Sequence, residues 1–278
     1  MKFYKPKSLL ELFEISEKIE GKKYFLAGGT DINVQIKNGI IKDEEIIFLN
    51  HLTELKGILH SNNHIIIGAL TSFSEILESE LCRLKLPFFQ NSLKNFASPL
   101  IQTSATIGGN IANGSPTADV VPLLLVLDAK LKLFSKSKLR EIPISEFYTG
   151  YKQFTLKRNE IIGAVLIPEN AEHDYETFYK KVGSRNTLTI AKIAFAGLKR
   201  ISNNKIEEIK LAVGSVNEYP RRLNKTEEYL KDKPVNEIDF SELENQLKKE
   251  ITPITDLRSD KEYRYQVCVN LIRTFLNH

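Results

Sequence analysis

The sequence predicts an α+β protein built as two domains. Three observations lead there. The chain has 278 residues, 42% hydrophobic and 27% charged, a composition that suits a globular chain with room for two modest cores. From about residue 178 onward, strand-like runs come first and helical stretches last, the order of an α+β module. Between the two parts lie residues 168–175, polar and proline-bearing, where a domain boundary is expected.

The elements follow in order. Ser8 with Glu11 is a capping box, and Leu9, Leu10, Phe13 and Ile15 supply the apolar stripe of the helix it opens. Gly21 ends that helix. A strand over 24–26 runs directly into Ala27-Gly28-Gly29-Thr30-Asp31. Further strands are expected at 45–49 and at 64–67, the latter closed by Gly68. Ser72 with Glu75 is a second capping box, opening a helix through Leu77 and Leu81. Residues 87–96 read as another helix. Residues 103–117 are small and polar and read as a loop with little core of its own. A helix is expected to start near Thr117 or Asp119. With Asp119 as its cap, Pro122 falls in the first turn, where proline is tolerated. Strands follow at 131–134 and 160–167. In the second part, 178–182, 190–201 and 206–213 read as strands and 225–231, 241–250 and 261–276 as helices.

Composition excludes several classes. The longest apolar run, 120–127, holds Pro122 and falls short of the about 20 residues that a membrane span needs. The first six residues carry no apolar stretch of the secretory kind. Net charge is +4 and dispersed, without the one-sided concentration of a nucleic-acid binder. Two cysteines, Cys82 and Cys268, are too few for an iron–sulfur cluster of the four-thiolate kind and make no zinc motif. They read as buried structural thiols of a cytoplasmic protein. The histidines have no metal-ligand spacing, so no metal site is expected. No acid–base or nucleophile constellation marks a catalytic residue.

The chemistry signal lies in two glycine pairs, Gly28-Gly29 and Gly108-Gly109. Glycine permits positive φ and close backbone approach, and successive N–H groups in such a turn form a concave anion nest. Two nests from distant parts of one domain would grip both phosphates of a dinucleotide, with hydroxyls from Thr30, Ser104 and Thr106. Asp31 and Asp119 accept hydrogen bonds only, so they suit sugar hydroxyls or helix caps. Neither pair is a Walker or Rossmann pattern. Taken alone, a Gly-Gly is more often only a turn.

The full strings carry a resemblance. Ala27-Gly28-Gly29-Thr30-Asp31 resembles the first flavin loop of the FAD-binding medium subunits of molybdenum hydroxylases. Ala105-Thr106-Ile107-Gly108-Gly109-Asn110-Ile111-Ala112, with Ser115-Pro116-Thr117-Ala118-Asp119, resembles their second loop. This is the family of xanthine, carbon monoxide and nicotinate dehydrogenase flavoproteins. Lys181-Val182-Gly183-Ser184-Arg185 with Ile190-Ala191 resembles a third block. Val213-Gly214-Ser215-Val216 through Pro220-Arg221-Arg222, and Asp256-Leu257-Arg258 with Tyr263-Arg264, resemble the closing blocks. The matches span nearly the whole chain in order. Thr189 departs from the family's frequent aspartate, which weakens a charge-paired link to Arg185.

The resemblance implies an FAD-binding domain of the vanillyl-alcohol-oxidase type over 1–170, with subdomains of about 1–55 and 56–170. A smaller α+β domain of the carbon monoxide dehydrogenase flavoprotein type follows over 171–278. It implies FAD contacts at Phe25, Leu26, Ala27, Gly28, Gly29, Thr30, Asp31 and Ile32 around the pyrophosphate, with Thr106, Ile107, Gly108, Gly109 and Asn110 on its other side. Asp119 takes a cofactor hydroxyl, Phe96 lies beside the flavin, and the Ile162 backbone and the Lys181 side chain make further contacts. Phe96 also reads as plain core, Lys181 as a surface cation, and Arg185 as a partner for a carboxylate. Implied partners are a [2Fe–2S] subunit and a molybdenum-cofactor subunit, with NAD or another acceptor receiving electrons. Xanthine is the first substrate expectation, with nicotinate, aldehydes and carbon monoxide open. The alternatives are a stand-alone flavin- or nucleotide-binding protein without catalysis, and a self-sufficient flavin oxidase.

Overall fold

The computed structural model describes residues 1–185 and 188–278. Two compact units emerge. One comprises Met1–Asn113, Ala129–Phe147 and Phe154–Glu169; the other comprises Gly114–Asp128, Tyr148–Gln153 and Asn170–His278.

The first unit opens with β1 (Lys2–Tyr4), α1 (Leu9–Lys18), β2 (Lys23–Leu26), α2 (Ile32–Lys37) and β3 (Glu45–Phe48). The three strands pair in parallel in the order β1-β3-β2. The Ser8 hydroxyl accepts from the Glu11 N–H as the capping pattern requires, and the Glu11 carboxylate reaches back to the Lys7 N–H. Leu12 and Phe13 of α1 bury against Ile47, Leu49, Leu52 and Leu55. The helix closes at Ile19, ahead of Gly21.

Next come β4 (Ile58–Ser61), β5 (His64–Gly68), α3 (Phe73–Glu78), α4 (Glu80–Lys85), α5 (Pro87–Ser92), α6 (Pro99–Gln102), α7 (Ile107–Ala112) and α8 (Val121–Val126). The Ser72–Glu75 capping box forms in full. The helix it opens is two helices, however. Ser79 turns extended (φ −67°, ψ 119°), closing α3, and its hydroxyl caps α4 by accepting from the Cys82 N–H. The expectation of a loop over 103–117 is overturned by α7. The expectation that Asp119 caps the next helix is overturned too: α8 follows Val120, with Pro122 in its first turn.

The strands β6 (Lys130–Phe134), β7 (Leu139–Pro143), β8 (Tyr148–Gly150), β9 (Gln153–Phe154) and β10 (Ile161–Pro168) complete this part of the chain. A five-stranded antiparallel sheet runs β4-β5-β10-β6-β7. Its centre, β10, is buried from Ile161 to Ile167, as its unbroken apolar run demands. The register slips between Ile162 and Ala164, a bulge at Gly163, whose carbonyl accepts from the Ala69 N–H at 2.9 Å.

The second unit is an antiparallel sheet of β11 (Glu176–Val182), β12 (Ile193–Ser202), β13 (Lys205–Gly214) and β14 (Arg221–Arg222). It carries α9 (Asn224–Leu230), α10 (Phe240–Lys248) and α11 (Lys261–Leu276), close to the three helices expected. Phe195, Leu211 and Val213 of the sheet share a core with Leu243, Val269, Ile272 and Phe275. Every residue of α8 is buried, and the helix packs on β12 and β13. The Arg222 guanidinium donates to the Leu125 carbonyl and, at 2.7 Å, to Asp128. The sequence reading passed over β1, α2, β4 and β7. Among the described residues no helix is long and apolar enough to cross a membrane.

Candidate cofactor-binding site

The first glycine pair leaves the end of β2, where Leu26 is buried and its carbonyl accepts from the Leu49 N–H. Phe25 and Ala27 pack on the core behind it. Gly29 has φ +72°, a conformation glycine adopts without penalty. Asn33 donates to the Gly29 carbonyl, starting α2, and the Gln35 amide binds the Asp31 carboxylate. Among the described residues, the backbone N–H groups of Gly28, Gly29, Thr30, Asp31 and Ile32 have no protein acceptor. A run of consecutive free donors in one turn is a nest for an anion.

The second pair is different. It lies in the first turn of α7, and its donors are spent. The Ile107 N–H donates to the Thr71 carbonyl at 3.1 Å, and Gly108 to the Ala69 carbonyl at 2.9 Å. The Gly109 N–H donates to the capping Thr106 hydroxyl at 3.1 Å, and Asn110 to the Thr106 carbonyl. The expected second nest is therefore absent. Gly108 answers to packing instead, since a Cβ there would lie 2.6 Å from the Ala69 Cβ and 2.8 Å from its carbonyl. What this turn does offer is Asn110 Oδ1, buried and without a partner among the described residues.

The two segments meet. A Cβ on Gly28 would lie 1.7 Å from the Ser104 carbonyl oxygen, and one on Gly109 would lie 3.8 Å from the Ala27 Cβ. Phe96 is core, its ring 4.2 Å from that of Phe73, with its carbonyl held by the Gln102 amide at 2.7 Å. Ile162 is buried at the β10 bulge.

Asp119 and Lys181 belong to the second unit. Lys181 Nζ donates to Asp119 Oδ2 at 2.5 Å, with both side chains nearly buried. The Tyr179 hydroxyl donates to the Asp119 carbonyl at 3.2 Å. Asp119 Oδ1 is buried and has no partner among the described residues. Burial pushes the Asp119 carboxyl above its ordinary range, against the pull of the Lys181 ammonium. Burial likewise raises the Tyr179 phenol well above its usual value, so it is a neutral donor. Sequence reading missed Tyr179. Its spacing of two from Lys181 on a strand, which sets both on one face, was the available signal. Arg185 pairs with no carboxylate among the described residues; its guanidinium donates to the Leu188 carbonyl.

In the first unit, the run of N–H donors from Gly28 to Ile32 suits a diphosphate. In the second unit, taken by itself, Asp119 Oδ1 suits a hydroxyl or N–H donor.

The chain resembles known proteins along most of its length. The family model described as the FAD binding domain in molybdopterin dehydrogenase matches residues 1–170. The model of the CO dehydrogenase flavoprotein C-terminal domain matches 177–278. The xanthine dehydrogenase FAD-binding subunit of Escherichia coli O157:H7 is 30% identical over 250 residues, 90% of this chain and 84% of that one. The carbon monoxide dehydrogenase medium chain of Hydrogenophaga pseudoflava is 25% identical over 278 residues, 99% of this chain and 95% of that one. A solved structure of carbon monoxide dehydrogenase from Hydrogenophaga pseudoflava superimposes with a TM-score of 0.93 at 25% identity, covering 100% of this chain and 96% of that chain.

The chain belongs to the FAD-binding family of molybdopterin dehydrogenases. It is a flavoprotein subunit of oxidoreductases of the xanthine and carbon monoxide dehydrogenase type, with FAD as its cofactor.

Proposed function

We propose that the chain is the electron-transfer subunit of a heteromeric molybdenum hydroxylase, working with a [2Fe–2S] subunit and a molybdenum-cofactor subunit. Bound FAD would supply the redox chemistry, accepting electrons from the clusters and delivering them to NAD or another acceptor. The work of this chain is to bind and orient that cofactor. Residues 25–32 embrace the diphosphate through the free N–H groups of Gly28 to Ile32, and that run of donors is the observation carrying the reading. Thr106 to Asn110 close the other side, with Asn110 Oδ1 as acceptor. Asp119 holds a hydroxyl, and Phe96, Ile162 and Lys181 line the remainder. Substrate oxidation belongs to the molybdenum partner, with xanthine the first candidate.

The division into 1–170 and 171–278 is supported by the two family matches, and that of the first part into subdomains 1–55 and 56–170 by its two separate sheets. A cytoplasmic location is supported by two buried cysteines, Cys82 and Cys268, that are not joined in a disulfide.

Purified chain incubated with FAD and desalted is expected to be yellow, with a flavin spectrum at one cofactor per chain. A colourless product after incubation overturns the proposal. Reduced by dithionite without oxygen and mixed with NAD, the loaded chain is expected to recover its oxidised spectrum. Recovery only with an artificial acceptor assigns another physiological acceptor. Co-purification from the native host is expected to bring down the two partner subunits.

A further inference from the structure

The face of the second sheet under residues 116–122 is cleared of side chains. Tyr179 and Lys181 of β11 lie on one face of their strand. Their register partners on β12 are Ala196 and Ala194, and these pair in turn with Ala212 and Gly214 of β13. Paired residues share a face, so that surface carries almost nothing beyond Cβ. A Cβ on Gly214 would already lie 3.4 Å from Pro122 and 3.5 Å from the carbonyls of Ala118 and Pro116. The segment can therefore lie flat, and the Ser215 N–H donates to the Pro116 carbonyl at 2.8 Å.

At the rim of this smooth floor stand the two large polar side chains. The Tyr179 hydroxyl holds the Asp119 carbonyl, and Lys181 Nζ holds Oδ2 of its carboxylate. Oδ1 remains, buried and unsatisfied. A buried carboxylate oxygen without a donor is costly and calls for one from outside the protein. Lys181 Nζ is already committed to that carboxylate and is itself nearly buried.

We infer that Tyr179 and Lys181 are positioning residues that act on FAD through Asp119, fixing its backbone and one carboxylate oxygen so that the other accepts a cofactor hydroxyl. Lys181 thus serves as the counter-ion of Asp119, and its own contact with the cofactor carries little of the affinity. This rests on the FAD reading above.

The test is a double-mutant cycle on the full chain, read as the FAD dissociation constant from flavin fluorescence. Lys181→Met strands a buried carboxylate and is expected to weaken FAD about tenfold or more. Asp119→Asn is expected to weaken it by a similar factor. The double variant is expected to bind within about twofold of Asp119→Asn, because Lys181 then has nothing to hold. Lys181→Arg, which keeps the charge, is expected to recover most of the affinity. Losses that multiply in the double variant overturn the inference and assign Lys181 a direct cofactor contact. Lys181→Met binding as tightly as the parent overturns it as well. Where Lys181→Met fails to fold by circular dichroism, Tyr179→Phe against Asp119→Asn runs the same cycle, and multiplying losses there also overturn the inference. A parent chain that takes up no FAD is a separate result, and it refutes the FAD reading itself.

Discussion

Gly28 and Gly109 sit in neighbouring segments but answer to different constraints. At Gly28 a side chain would drive into the Ser104 carbonyl, 1.7 Å from its Cβ. Gly28→Ala is therefore a fold variant. It is expected to cost about 1–3 kcal/mol, seen as a lower urea midpoint even without cofactor. At Gly109 a Cβ meets only the Thr106 hydroxyl, at 2.8 Å, and faces Ala27 across 3.8 Å. Gly109→Val is expected to disturb the Thr106 cap at a cost of about 1 kcal/mol, and to press against Ala27 of the first loop. Its loss of FAD on desalting should far exceed its loss of stability. Retention as tight as the parent's would refute a cofactor-holding role for this turn. The sequence made both pairs visible but could not tell these jobs apart. Gly28 and Ser104 are distant along the chain, and only the fold brings a carbonyl under that Cα. Asp119 was misread for the same reason. A local rule makes it a helix cap, whereas its carboxylate is taken by Lys181, which is remote in sequence.

Among the elements, those whose signals are local were legible. The Ser72–Glu75 box and the unbroken apolar run of β10 needed no distant partner to be read. Helix α7 was not legible. Its residues are small, two are glycines, and its first N–H groups are satisfied by Ala69 and Thr71 from another part of the chain. Tertiary acceptors replace the propensity it lacks. Strand β7 was hidden by its charges, and one of them has a measurable role. Arg140 donates to both oxygens of Glu160, at 2.9 and 2.7 Å, joining the edge strand β7 to the approach of β10. That hydrogen bonding holds the Glu160 carboxyl below its ordinary range, even against burial. A carboxyl whose pKa is depressed by folding stabilises the protein fully above its unfolded pKa. That contribution is lost as pH falls through the lower, folded value. The urea midpoint of the parent is therefore expected to drop once pH falls below about 4.3. Glu160→Gln should flatten this part of the profile; an unchanged slope would remove the ion pair as its cause.

For the whole molecule, the fold class and the family were readable because the motifs recur in order along the entire chain. How the chain distributes itself was not readable. Residues 114–128 belong to the second unit, where α8 is buried on β12 and β13. A fragment ending at residue 170 would keep α8 and lose that sheet. Helix α8, every residue of which is buried in the intact chain, would then lose the cover of β12 and β13. Such a fragment is expected to aggregate or to bind a hydrophobic dye strongly, while the full chain does neither. A soluble fragment with dispersed amide resonances would contradict this. The matter reaches beyond truncation. A recombinant that splices a relative's tail onto this chain at residue 170 would set α8 on a foreign sheet in place of the β12 and β13 on which it packs here. The packed unit is discontinuous along the chain, so an exchange that preserves its packing carries residues 114–128 along with the tail they lie on.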